Sequence, residues 1–190
     1  MLKDLVYSCR SYRRFYEEKE ISMNDLKDLV DLARMTASTA NSQALKFKLV
    51  NMREDNAKVF ETLAWAGALP DWPGPEKGER PSAYILIAED RTIGKNKLTD
   101  TGIMAQTMML GAVEKGYGGC MLANIQRDRL AEVFGIDKER YMIQLVLALG
   151  KPKEEVKVVP VGEDGKVTYY RGQNQIHYVP KRSLEDLILD

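Results

Sequence analysis

Three arginines, Arg10, Arg13 and Arg14, fall within five positions of the segment YSCRSYRRFYEE at residues 7–18, among tyrosines and a phenylalanine and just ahead of Glu17 and Glu18. Arginine presents planar, bidentate donors, so a cluster of this kind suits recognition of an anion, a phosphate above all. A plainer role competes with that one. Leu2, Leu5, Val6 and Cys9 follow helical spacing, which puts the arginines where a short first helix ends and where the helix dipole favours cations.

Other chemistries are poorly supplied. His177 is the single histidine, no G-x-S-x-G elbow accompanies it, and its place near a strand end suits a structural role. Cys9 and Cys120 make neither a disulfide framework nor a four-thiolate metal site, and a zinc site of His and Cys lacks ligands. GYGGC follows a helix and precedes a strand, the reverse of the dinucleotide-binding order, and no Walker lysine pattern exists. Glu17 with Glu18, and Glu154 with Glu155, read as solvated pairs rather than acid–base pairs. Most hydrolytic chemistry is therefore disfavoured, and an enzyme built from these residues needs a cofactor for the difficult step.

Composition sets wider bounds. A chain of 190 residues with 44% hydrophobic and 29% charged residues suits one soluble domain with a substantial core. Its formal net charge is zero, so a general nucleic-acid or anionic-membrane binder is not favoured, and any positive site must be local. The N-terminal MLKDLVYSC has no apolar run of signal-peptide length, and no stretch approaches a membrane span, which makes the cytoplasm the expected location.

The elements that must position the arginines are legible in outline. Ser22 and Asp25 form a capping box with Asp in place of Glu, Ile21 and Leu26 a hydrophobic staple, and Leu26, Leu29, Val30 and Ala33 one apolar helix face. TASTANSQA, residues 36–44, is a polar loop leading into LKFKLV, an alternating strand with a wet lysine face. Residues 57–68 read as a helix, and LPDWPGPEKGERP, with four prolines and two glycines, as a long surface loop. SAYILIAE suits a central strand. The methionine-rich helix from Thr99 to Lys115 has an apolar surface wide enough to be buried nearly all round, by the core or by a second subunit. GYGGCMLANI predicts a strand, RDRLAEVFGI a short helix closed by Gly135, and YMIQLVLALG a buried strand. Beyond Pro152, KVVPV-GEDG-KVTYY predicts a hairpin and SLEDLIL a small helix with Ser183 and Asp186 as its box. One domain, 1–190, with residues 153–190 as a C-terminal arm, is the simplest organisation. Strands alternating with helices suggest, by pattern alone, a doubly wound parallel sheet.

Three segments taken together carry a resemblance. CRSYRRF resembles the N-terminal arginine–serine–arginine signature of the nitroreductase family of flavin enzymes. ASTANSQALKFKLV, from Ala37, is similar to that family's loop, Pro-Ser-x-x-Asn-x-Gln-Pro followed by an aromatic or leucine and a strand. VPKRSLEDLIL is similar to its basic, phosphate-binding C-terminus, and LAWAGALPDWPGPEKGERPSAYI and EKGYGGCMLANI fall between in the expected order.

That resemblance implies an α+β fold, a mixed β-sheet flanked by helices, with the C-terminal arm wrapping a homodimer partner. It implies FMN at the dimer interface. Arg10, Ser11 and Arg13 would meet its ribityl-phosphate or pyrimidine edge, and Lys181 and Arg182 would complete the phosphate clamp. Ser38, Thr39, Asn41 and Gln43 would come from the other subunit, while Met121, Leu122, Ala123 and Asn124 would lie along the ring. The implied activity is ping-pong hydride transfer from NADH or NADPH through the flavin to a nitroaromatic, quinone or similar small electrophile. Alternatives are a non-catalytic FMN carrier or sensor, or a dehalogenating or flavin-fragmenting member of the fold. Cys9 stands where many members have an arginine, Ala37 where proline is common, and Ala44 and Leu45 where a Pro-aromatic pair is usual. Ala123 occupies a position where some members place an acid. Arg14 is expected to face solvent or Glu17 and Glu18, and the loop from Trp65 to Arg80 is a candidate lid.

Overall fold

A computed structural model describes residues 1–95 and 97–189. Its centre is β3 (Ala83–Asp90), apolar on both faces and buried at every position. β3 lies between β2 (Leu45–Val50) and the twelve-residue β5 (Tyr141–Pro152), antiparallel to both. The far edge of β5 carries β4 (Gly118–Leu122) and then the two-residue β1 (Phe15–Tyr16), again antiparallel. The pattern-based expectation of a doubly wound parallel sheet is therefore wrong. Connections through helices led to it, yet here each helix returns the chain against its neighbour's direction. A mixed α+β architecture holds, with parallel pairing among the described residues confined to the Ser11–Gly119 bridge and to a small tail sheet.

Two cores cover the two faces. On one, α2 (Met23–Arg34) and α4 (Leu98–Glu114) pack Leu26, Leu29, Met104 and Met108 against Ile85, Ile87, Leu147 and Leu149. A side chain at Gly111 would come within 2.9 Å of Leu32 and 3.0 Å of Leu29, so glycine there lets α2 and α4 approach closely. On the other face α3 (Arg53–Phe60) and α5 (Arg127–Val133) join Trp65 against Tyr84, Leu86 and Val146. Short-range signals hold: Asp25 N–H donates to Ser22 Oγ at 3.0 Å, and Ile136 N–H donates to Ala131 O around left-handed Gly135.

Elsewhere tertiary contacts override the local pattern. α3 begins at Arg53 and stops at Phe60, because Leu63 pairs with Ile125 as a bridge and the backbone of Thr62 and Ala64 is taken by Gln126 and Asn124. α4 is buried on one side only, and Leu98 and Ile103 are exposed in the single chain. The tail hairpin does not form. β6 (Val156–Pro160) pairs in parallel with β8 (His177–Lys181), and β7 (Tyr170–Arg171) pairs antiparallel with β8. Tyr169 leaves the hairpin register because its ring lies against His177 and Arg13, while its hydroxyl accepts from Ala68 N–H. The terminal segment forms only a 3-10 turn, Glu185–Leu187, although Ser183 and Asp186 exchange the expected bonds at 3.2 Å. No helix among the described residues is long and apolar enough to cross a membrane.

Candidate functional site

The arginine cluster divides three ways. α1 (Leu2–Ser8) ends just before it, and Arg10 donates from Nη2 to Val6 O at 2.7 Å, which is the role that a cation at a helix end predicts. Its Nε is buried without a partner among the described residues. Ser11 runs beside β4 as a bridge to Gly119, with Tyr12 N–H donating to Gly119 O at 2.9 Å. Cys9, in the neighbouring position, receives Gln106 Nε2 at 3.6 Å, and burial pushes its thiol pKa up.

Arg13 turns inward. It is buried, its guanidinium lies 4.7 Å from the Tyr169 ring centre, and Nη1 reaches Ser11 O at 3.3 Å. The backbone N–H groups of Arg13 and Arg14 both donate to Glu154, whose other oxygen accepts from Arg171 at 3.3 Å. Arg171 in turn stacks 4.0 Å over Trp72. Glu154 is thus no solvated surface carboxylate, contrary to expectation: its side chain is wholly buried and anchors the tail to the N-terminal motif. Arg14 pairs with Glu79 rather than facing solvent or Glu17 and Glu18, because Glu79 also draws Lys153 at 2.9 Å and so gathers two cations. Glu17 itself accepts from the backbone N–H groups of Gly78 and Arg80, while Glu18 is exposed. Nothing in the residue types of Glu79, Glu154, Tyr169 or Arg171 distinguishes them beforehand; their partners lie far along the chain.

The polar loop forms a second group, at the first turn of α4. Thr39 donates from N and Oγ1 to Asp100 Oδ1 at 2.9 and 2.6 Å, and Ser38 Oγ accepts from Gln43 N–H at 3.3 Å. Ala40, Asn41 and Gln43 have φ of 53, 52 and 51°, a strained left-handed course for non-glycine residues. Asn41 and Gln43 are left exposed, their side chains 3.4 Å apart. The Thr39–Asp100 bonds fix this loop, so its two exposed amides are presented rather than free to collapse.

β4 supplies Met121 and Leu122, packed against the two cores, and Ala123 and Asn124 emerge exposed at its end. Arg127 holds Ala123 O at 3.0 Å. Lys181 and Arg182 form a third group: they are exposed and line a groove of about 610 Å³ with Gly162, Ser183 and Asp186. Lys181 stands four residues beyond His177 on β8, about 13 Å at the usual strand rise. Ser11, next to Arg10, is bridged to β4, the 38–43 loop is fixed on the first turn of α4, and the Lys181–Arg182 pair lies at the end of β8. Among the described residues no cluster of His, Cys, Asp and Glu is arranged to hold a metal ion.

Comparison with known proteins gives this arrangement a setting. A family model described as "Nitroreductase family" matches residues 6–151, which hold the arginine cluster, the 38–43 loop and β4. A protein of Archaeoglobus fulgidus, provisionally named NADH dehydrogenase/NAD(P)H nitroreductase, is 27% identical over 80% of this chain and 85% of its own. A provisionally named nitroreductase of Exiguobacterium sibiricum, solved in complex with FMN, superposes with a TM-score of 0.66 at 20% identity, over 80% of this chain and 89% of that one. A nitroreductase family protein of Clostridium novyi superposes with a TM-score of 0.68 at 18% identity, over 98% of both chains, tail included.

Proposed function

The chain belongs to the nitroreductase family, and from that premise we propose that it is an FMN-dependent NAD(P)H oxidoreductase working as a homodimer. The observation that carries the reading is Arg10: a guanidinium anchored by one nitrogen, with a buried unpartnered Nε, beside the exposed Ser11 and the edge of β4. An orphaned cationic donor of this kind fits a phosphate or the polar edge of a flavin. Asn41 and Gln43 are presented on a fixed loop and would serve a second chain's site, as would Ser38 and Thr39 by bracing it. Lys181 and Arg182, exposed at and just past the end of β8, would complete the phosphate clamp.

FMN, when bound, supplies two-electron chemistry, passing a hydride equivalent from NAD(P)H to a small electrophile such as a quinone or nitroaromatic. The chain's own residues bind and orient. Arg10 and Ser11 hold the anionic end, and the exposed end of β4 at Ala123 and Asn124 forms a wall. Arg13 positions the motif from beneath, sealed by Tyr169 and His177. Orientation and charge, rather than an acid–base side chain, would do the work in hydride chemistry of this kind. Donor and acceptor would then use one site in turn, giving ping-pong kinetics.

The purified protein should be yellow and release about one FMN per chain on heating. NADH or NADPH should bleach it without acceptor present, and a panel of quinones and nitroaromatics should restore the colour with turnover. A colourless protein that takes up no added FMN overturns the reading, and bound FMN without turnover moves it to a carrier or sensor.

A further inference from the structure

A second cleft, of about 640 Å³, opens between α3, the start of β3, the turn after β1 and the end of the proline-rich loop. None of the residues assigned above to the flavin lines it. Four of its lining side chains carry buried polar atoms with no partner among the described residues: Tyr84 Oη, Ser82 Oγ, Asn56 Oδ1 and Arg80 Nε. Folded proteins hold few such atoms, and four around one cleft mark a missing set of partners.

Their chemistry is ordered. Ser82 and Tyr84 stand two positions apart along an extended segment and so share a face. Asn56 donates from Nδ2 to Ser82 O at 2.7 Å, which leaves Oδ1 as an acceptor waiting for a donor. Arg80 lies 4.1 Å over the Phe60 ring, which fixes its guanidinium. Two hydroxyls and a guanidinium thus form a donor set for a carboxylate, while Asn56 Oδ1 and the glutamates at the cleft form an acceptor set for an ammonium group. The lining carries three carboxylates, Glu17, Glu18 and Glu20, against three cations, Arg53, Lys77 and Arg80. That balance disfavours a ligand with strong net charge and favours one bearing both signs.

We propose that this cleft binds a small zwitterion with a carboxylate and an ammonium group, of amino-acid or dipeptide size, the carboxylate meeting Arg80, Ser82 and Tyr84 and the ammonium meeting Asn56 and the glutamates. A cavity of this volume falls within the range of small-molecule sites. The site lies apart from the flavin motif, so its occupancy can be tested whether or not the flavin reading stands.

The test titrates L-alanine, L-glutamate, L-lysine and glycylglycine into the full chain by calorimetry and ligand-observed NMR. Glycerol, and acetate with methylamine, serve as controls. At least one zwitterion is expected to bind saturably and raise the melting temperature, with no competition from the controls. Tyr84→Phe, which removes a single buried oxygen, and Arg80→Gln should each weaken binding about tenfold or more with the circular dichroism spectrum retained. Failure of every zwitterion to bind, binding indifferent to both substitutions, or displacement by glycerol overturns the proposal; the first means that water alone serves these atoms.

Discussion

Nη1 of Arg13 stands 3.3 Å from Nε2 of His177, and both side chains are sealed from solvent. The imidazole can accept from the guanidinium only while neutral. Burial first, then the positive charges of Arg13 and Arg171, hold its pKa at about 4, below its ordinary 6.5. The unfolded chain therefore takes up a proton at His177 before the folded chain does. Its contribution to stability is complete above about pH 6.5 and is lost as pH falls through that window toward 4, by up to roughly 3 kcal/mol. His177→Gln should flatten the pH dependence of the urea midpoint between pH 7 and 4.5. On the proposed reading His177 takes no part in acid–base chemistry at the flavin, so His177→Ala should leave the rate of flavin bleaching by NAD(P)H within about tenfold of the parent, against the 10²–10⁴ that a general acid or base contributes.

Glu79 takes Arg14 through two nitrogens and Lys153 through a third contact, tying the proline-rich loop to the N-terminal motif and to the end of β5. Hydrogen bonding to Arg14 is the chief reason that its carboxyl is held at about 2 rather than 4.5. This contribution is complete above pH 4.5 and is lost as the pH falls toward 2, a lower window than that of His177. In a double-mutant cycle, Arg14→Ala with Glu79→Ala should show a coupling of about 1–2 kcal/mol, where an exposed pair gives about 0–1. Denaturant titrations of the four proteins measure it.

Arg10 predicts a binding loss that charge alone does not rescue. Arg10→Ala should weaken FMN binding about 10- to 100-fold, the worth of one charge-assisted hydrogen bond. Arg10→Lys should recover little, since an ammonium cannot both hold Val6 O and offer a second planar donor. Fluorescence titration with FMN gives the affinities. Riboflavin should bind the parent far more weakly than FMN; equal affinities would place the arginine away from the phosphate.

Leu98 and Ile103 on α4, with Leu2 and Val6 on α1, leave an apolar outer surface beside the motif. A homodimer closing over that surface would cover it and bring the second chain's 38–43 loop to the site. Ile103→Glu should therefore shift light scattering toward the monomer and reduce FMN content together, while leaving the core of α4 intact. A dimer that survives the substitution with full FMN would place the interface elsewhere.

Ser22 with Asp25, Gly135 with Ile136, the two-faced apolar run of β3 and the methionine-rich α4 were determined by the amino-acid sequence itself. Each depends on bonds or periodicities spanning a few residues. The resemblance carried by CRSYRRF and the 37–50 segment belongs to the same class, since motif order survives in one dimension. What only the tertiary structure decided is pairing across long separations. β6 chose β8 over the nearer hairpin strand because Tyr169 is drawn onto Arg13 and His177. Glu154 became the buried anchor of Arg13, Arg14 and Arg171, while its neighbour Glu155 stayed exposed. Arg14 found Glu79, sixty-five residues away, instead of the acids beside it. A carboxylate's partner depends on which cations the fold brings within hydrogen-bond reach. That depends on where distant segments cross, which no local spacing encodes.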